Sequence, residues 1–373
     1  MTGTAYCCDE DSLWVTGMGH RDSLSLRQGQ PVFRVARLVL VIIGQLRTPR
    51  LKILPEKGPA WYHCMSRTVN GEWLFQDADK EILRQHIWQV AEYCGVAIVS
   101  YAIMSSHFHV LARVPVKGAL TDQELLRRYR LLHSRPTLWE TMRLEAIERL
   151  LNENGERAQR WRERQLAMMG DISPFMQLLK QRFSIWFNRA HKRFGTLWAE
   201  RYKSVLVEGT GPGLTSFAAY VDLNSVRAGL VDDPKDYRFC GYAEAVAGNP
   251  AARAGIESIT GIVRWEDSHS AYRQVLFGIA AEPRDHAAAV STEAARAVAA
   301  AGGKLSLAEI LRCRVRYLTD GAVLGSKAFV AEQIASYRNR TGRGAKTVPR
   351  ALTGPPEWDG LSVLRKLHLP VIS

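Results

Sequence analysis

The run SYAIMSSHFHVLARVP constrains this chain more than any other segment. Its apolar, β-branched character and the Pro115 stop predict a strand over His107 to Val114, entered through a tight Ser105-Ser106 turn. Alternation along a strand sends side chains two apart to the same face. His107 and His109 therefore project together, while Phe108 points to the other side. Two imidazoles side by side on one strand face make half of a divalent metal site, because imidazole is neutral and ligating near neutral pH. An isolated pair of this kind is more often solvent-facing or satisfied by protein, so it needs a companion.

The companion is SFAAYVDLNSVRAGLV, about a hundred residues later. Helical spacing over 214–228, closed by Gly229, puts Tyr220 and Asn224 on one helix face. Taken alone, the tyrosine reads as a core-edge residue and the asparagine as a cap or surface group. Together with the His pair they form a possible metal-assisted tyrosine nucleophile. Asp222 is expected to face elsewhere and takes no role.

The surrounding pattern predicts a core. AWYHCMSR reads as a first strand, followed by the Asn70-Gly71 turn signal. Asp77 opens a helix over roughly 78–94, and Gly95 ends it. Val96 to Met104 is a second strand. PFMQLLKQRFSIWFNRAHKR is an amphipathic helix over 174–193, and Trp198 to Glu208 contains a fourth strand. Strand, helix, strand, strand, helix, strand is the split βαβ plan. The expected fold class is α+β: a ferredoxin-like core whose antiparallel four-stranded sheet has helices on one face. The opposite, helix-free face is then open for the His pair, with Phe108, Val110 and Val114 under the helices.

Four segments flank or interrupt this core. Residues 1–56 read as an N-terminal extension, disordered or arising from a start assigned too far upstream. The catalytic domain is expected over 57–245, with an Arg-, Glu- and Leu-rich helical insert at 118–170 broken near Asn152 to Gly155. That insert is either a solvated helical face or a basic arm along a nucleic-acid backbone. Residues 246–303 read as linker and helices. Residues 304–373 read as a C-terminal helical module with a Thr319-Asp320-Gly321 break, either helix-turn-helix-like or simply packed.

Composition narrows the partners. The 373-residue chain carries 50 Lys and Arg against 37 Asp and Glu, a net charge of +13. An excess of this size favours a polyanionic partner such as nucleic acid. Its six cysteines form no C-x-x-C pair, which argues against a zinc ribbon and a secreted disulfide framework. The apolar run at Leu38 to Ile43 is far short of the about 20 residues needed to span a bilayer. A soluble, cytoplasmic protein with no membrane partner is the expectation.

These residues carry a resemblance. Over roughly 58–245 the chain resembles the HUH single-strand DNA transposases, of the REP-associated tyrosine type. The resemblance rests on WYHCMSRTVNGEWLF, MSSHFHVLARVP, GTLWAERYKSVLVEG and YVDLNSVRAGLVDDPKDYRFCGYAEA, in that order. The family more often has Asn-Pro-Val-Arg where this chain has Asn224-Ser225-Val226-Arg227. The resemblance implies Tyr220 as nucleophile and His107, His109 and Asn224 as ligands of Mg²⁺ or Mn²⁺. It implies cleavage and rejoining of single-stranded or hairpin DNA through a 5′-phosphotyrosine, by a monomer or homodimer. Arg67, Asn70, Arg201, Lys203 and Arg227 are expected to contact DNA, with an internal salt bridge as the alternative for Arg227. Trp61, Trp73 and Trp198 are expected either to stack on bases or to lie in the core. The alternative function is a non-catalytic, hairpin- or sequence-specific DNA-binding protein descended from such an enzyme. A replication initiator or relaxase fits less well, since those enzymes usually add a third histidine or further domains, and neither is expected in this chain.

Overall fold

A computed structural model describes residues 50–53, 58–134, 136–277, 321–341, 348–352 and 360–365. Strand β1 spans Ala60–Arg67, helix α1 Asp77–Cys94, β2 Ala97–Ile103 and β3 His107–Val114. Helix α2 is Asp122–Leu131, α3 Leu138–Glu153, α4 Glu156–Ala167 and α5 Ile172–Ala190. Strand β4 is Lys203–Val207, α6 Pro212–Asp222 and α7 Asn224–Arg227. Helices α8 (Gly241–Val246), α9 (Pro250–Thr260) and α10 (Trp265–Phe277) follow. Strand β5 (Gly321–Ser326), α11 (Lys327–Thr341), β6 (Arg350–Ala351) and β7 (Leu361–Arg365) complete the described chain.

The strands form one sheet in the order β2-β3-β1-β4-β5-β7-β6. Strand β1 pairs antiparallel with both β3 and β4, and β2 antiparallel with β3. The mixed α+β class is the expected one, but the sheet has seven strands rather than four. Strand β5 joins β4 in parallel and carries β7 and β6 beyond it. The described parts of the segment expected as a helical module, 304–373, include strands as well as a helix. These parts extend the central sheet around a single helix. The reason lies in composition: AVLG and LSVLR are short apolar runs, too short for a periodicity to separate strand from helix.

One sheet face packs against α1, which in turn packs against α5. Phe108 lies on it, its ring 5.4 Å from Trp198, which belongs to a cluster with Phe75 and Phe183. The other face is not helix-free, contrary to expectation. Helix α6 crosses β2 and β3, and α9 lies on β2. Residues 246–277, read as linker and helices, are thus part of the core, with Ile256 and Tyr272 fully buried. Close approach of α9 depends on Gly255, where a Cβ would meet the Val99 carbonyl oxygen at 2.4 Å. The remainder of that expected linker, 278–303, lies outside the described residues.

The insert does form helices α2, α3 and α4, and Asn154 ends α3 in a left-handed conformation, φ 51°. Leu125, Ile147 and Trp161 bury its apolar side. Several of its arginines are paired within the protein: Arg127 with Glu124 and Glu92, Arg128 with Glu124, Arg130 with Glu148, Arg160 with Glu156, and Arg162 with Asp122. Order also starts before residue 57. The Arg50 guanidinium sits 3.6 Å over the Tyr202 ring, Lys52 pairs with Asp171 at 2.6 Å, and Leu51 is buried. Residues 1–49 and 54–57 of the expected extension lie outside the described residues.

Candidate active site

Register places the site. In the β1–β3 ladder Met65 faces His109, Arg67 faces His107, and His63 faces Leu111. Side chains directly opposite share a face, so His63, Arg67, His107 and His109 all project toward α6. From β4, Lys203 lies opposite Met65 and joins the same face.

His63 is the residue that the sequence reading missed. Its Nε2 lies 2.9 Å from His109 Nδ1, and the two rings lie nearly coplanar and edge to edge, with centroids 5.1 Å apart and planes 7° apart. Both are buried. The signal was available in AWYHCMSR. Once that strand lies beside HFH, alternation from Trp61 puts His63 on the metal-facing side. The expectation that no third histidine accompanies the pair is corrected here.

His107 and His109 come together as expected, their ring centroids 5.1 Å apart. His107 Nδ1 lies 3.0 Å from the Ser106 hydroxyl. Burial, aided by the nearby Arg67 and Arg227 charges, pushes His107 down to about 4. Burial, with His63 next in weight, holds His109 well below the usual histidine range. Both imidazoles are therefore neutral at physiological pH, with Nδ1 engaged by protein and Nε2 left as the nitrogen for a ligand.

Tyr220 is on α6, against His109 and His63. Its ring lies 5.6 Å from His109 and 5.9 Å from His63, edge-on to both. The Arg227 guanidinium sits 4.2 Å over the Tyr220 ring. The helix carrying Tyr220 and Asn224 is not continuous, however. It ends at Asp222, and α7 begins at Asn224. Asn224 donates through Nδ2 to the Tyr220 and Val221 carbonyls, at 2.9 and 3.1 Å. It thereby satisfies acceptors that the helix end leaves open. Its Oδ1 accepts from Arg227 at 3.0 Å. Arg227 thus bridges Tyr220 and Asn224, and among the described residues it makes no salt bridge to a carboxylate.

These donors fit a divalent cation in kind: two neutral imidazole nitrogens and an amide oxygen with a second lone pair. The Arg227 contact means that a cation at Asn224 Oδ1 would share that oxygen with a guanidinium. Among the described residues no group of three or more His, Cys, Asp or Glu side chains is arranged to hold a metal ion. The set here differs in type, having an asparagine as its third member.

The expected DNA contacts divide. Arg67 is exposed at the end of β1, and its charge reaches His107. Asn70 is exposed in the turn after β1, in a left-handed conformation at φ 56°, and donates to Glu72. Arg201 is exposed just before β4. Lys203 approaches Glu200 at 3.7 Å. Of the tryptophans, Trp198 is core and donates to the Lys180 carbonyl, and Trp61 is half-buried against the core. Trp73 is 86% exposed, as a stacking platform must be.

Residues 58–138 match the model of the IS200-like transposase family, covering β1 through the His-x-His strand and the first helix of the insert. No curated protein matches the chain. A solved structure described as a REP-associated tyrosine transposase bound to a REP hairpin is similar at 14% identity. That match covers 55% of this chain and 89% of that one, with a TM-score of 0.30. No helix among the described residues is long and apolar enough to cross a membrane.

Proposed function

We propose that this protein is a metal-dependent transposase-type nuclease that cuts and rejoins single-stranded or hairpin DNA through Tyr220. The observation that carries the proposal is Tyr220 standing edge-on to the buried His109, which adjoins His107, with Arg227 against the Tyr220 ring. The similarity of residues 58–138 to IS200-like transposases supports the DNA-processing class, and the net charge of +13 supports a polyanionic substrate.

The chemistry follows from what each group can do. The Tyr220 Oη attacks a phosphodiester phosphorus. The new O–P bond joins the protein to the 5′ side, and the P–O3′ bond breaks. The phenolic proton goes to solvent, and the departing 3′ oxygen takes one back. Because the phosphotyrosine ester retains the energy of the broken bond, a 3′ hydroxyl can reverse the step without ATP. A free phenol titrates near 10, so the nucleophile needs help at neutral pH. Arg227 places a fixed positive charge where phenolate and phosphate charge develop. A bound Mg²⁺ or Mn²⁺, held by His107, His109 and Asn224, would polarise the scissile phosphate and stabilise the leaving oxygen. Arg67, Arg201 and Lys203 are positioned to follow the DNA backbone, and Asn70 and Trp73 to meet unpaired bases.

The test is a denaturant-resistant protein–DNA adduct on a labelled library of single-stranded hairpins, with Mn²⁺, Mg²⁺ or EDTA. A metal-dependent adduct with the wild type and none with Tyr220→Phe is the expected result. A Tyr220→Phe adduct equal to wild type overturns the assignment. Tight hairpin binding with no adduct from the wild type turns the reading to a DNA-binding protein without catalysis.

A further inference from the structure

His63 lies outside the ligand set, yet it touches both a proposed ligand and the nucleophile. It is 1% exposed, its Nε2 is 2.9 Å from His109 Nδ1, and its ring packs on Phe217 at 5.2 Å and on Tyr220 at 5.9 Å. Only one proton fits between two nitrogens at that distance, so the contact joins the tautomers of the two rings. If His63 donates, His109 carries its own proton on Nε2 and has no lone pair there for a cation. If His109 donates, its Nε2 lone pair is free on the side of His107.

From this geometry we propose that His63 is a positioning residue. It accepts the His109 Nδ1–H and so fixes His109 in the tautomer and orientation that turn Nε2 toward a divalent cation. The inference rests on the reading of the site given above. The arrangement is the one ligating histidines generally use: the second ring N–H goes to an acceptor, most often a carboxylate or carbonyl. Here the acceptor is another imidazole, held by β-sheet register. Ser106 stands in the corresponding place for His107, with its hydroxyl 3.0 Å from Nδ1. The near-coplanar, edge-to-edge alignment of the two rings restricts rotation of His109 as well as its proton.

Two measurements on the full chain test this. The first is metal-free: ¹⁵N spectra of histidine-labelled wild type, with His109 assigned from a His109→Gln variant. The expected pattern has a protonated Nδ1 and an unprotonated Nε2. A protonated Nε2 overturns the proposal. The second is Mn²⁺ binding followed by electron paramagnetic resonance. His63→Phe keeps a ring against Phe217 and Tyr220 but removes the acceptor, and it should weaken Mn²⁺ binding about 10- to 100-fold. His63→Gln can still accept a hydrogen bond, so it should recover most of that loss. Wild-type affinity in His63→Phe, or equal losses in both variants, overturns the proposal. If His63→Phe does not fold, the spectra and the His63→Gln affinity decide. If wild type forms the Tyr220 adduct while His63→Phe binds Mn²⁺ unchanged, the positioning role alone fails. If wild type binds no Mn²⁺, the metal site itself fails and takes the positioning role with it.

Discussion

Asp222 lies two residues after Tyr220 and is completely buried. Its Oδ1 accepts from the Ser100 hydroxyl at 2.6 Å and from the Tyr242 backbone N–H at 3.2 Å, and its Oδ2 accepts from the Tyr272 hydroxyl at 2.5 Å. The carboxylate ties α6 to β2, α8 and α10, and so holds the helix that carries Tyr220. Burial pushes its pKa up from 3.8 to about 6, although the three donors pull the other way. A rise of about two units corresponds to roughly 3 kcal/mol. The sign follows from the folded value lying above the unfolded one. The favourable contribution is complete below the unfolded pKa, declines as pH rises through about 4 to 6, and is gone above that range.

Asp222→Asn isolates this term. The amide oxygen can keep the Ser100 and Tyr242 bonds, and the amide N–H can donate to the Tyr272 oxygen. At pH 7.5 the variant is relieved of the roughly 3 kcal/mol ionisation penalty, a net figure that already includes the pull of the three donors. At pH 4 the folded carboxyl is neutral, as the amide is, and most of the penalty is absent from wild type. The stability difference, Asn minus wild type, should therefore rise by about 2–3 kcal/mol between pH 4 and pH 7.5. Asp222→Ala orphans the Ser100, Tyr242 and Tyr272 donors at about 1–3 kcal/mol each, so it should be destabilised at both pH values. Urea unfolding at a series of pH values measures all three proteins. A difference between Asn and wild type that does not change with pH refutes the argument, as does an Ala variant as stable as wild type.

Other outcomes follow from the same geometry. Burial lowers His86 to about 4; with the folded value below the unfolded one, its neutral form stabilises the fold at neutral pH, and that stability is lost as pH falls from about 6.5 toward 4. His86→Leu should therefore lose less stability than wild type between pH 7 and pH 5 in thermal melts, by at most about 3 kcal/mol. Gly255→Ala forces a Cβ onto the Val99 carbonyl and should cost about 1–3 kcal/mol, whereas Gly155→Ala, with open space around it, should be neutral in the same melt. Arg227→Ala removes the charge over Tyr220 and should slow single-turnover adduct formation about 100-fold. Arg227→Lys should restore only part of this, because a lysine cannot span the Tyr220 ring and Asn224 Oδ1 with a planar fork. Equal rates for Arg227→Ala and wild type would exclude the electrostatic role.

The elements with strong local signals were legible before any coordinates. AWYHCMSR and HFHVLARV read as short apolar strands bounded by turn signals, and the amphipathic α5 carries a period of 3.6. Their order led to the split βαβ plan and an antiparallel sheet. What stayed hidden was contact between distant segments. Strands β5 and β7 are short apolar runs that become strands because β4 offers an open edge, and an edge is a property of the assembled sheet. The same limit applies to α9, whose seat on β2 depends on Gly255 meeting the carbonyls of Ile98 and Val99.

The site shows how one hidden contact changes the chemistry. His107 and His109 were readable because two ligands two residues apart need only local strand geometry. His63 is 46 residues from His109. Its place depends on an antiparallel register that puts His63 opposite Leu111 and therefore diagonal to His109. A slip of one residue would turn His63 to the opposite face, toward α1 and α5. Register is held by the face under those helices, where Tyr62, Cys64, Phe108 and Val110 are buried. The apolar side of the sheet thus fixes the polar side. A core substitution at Cys64 or Phe108 that shifted the ladder would disturb the His63–His109 contact without touching either histidine. Sequence alternation reveals which residues share a strand face, but only the packed core decides which faces of neighbouring strands meet.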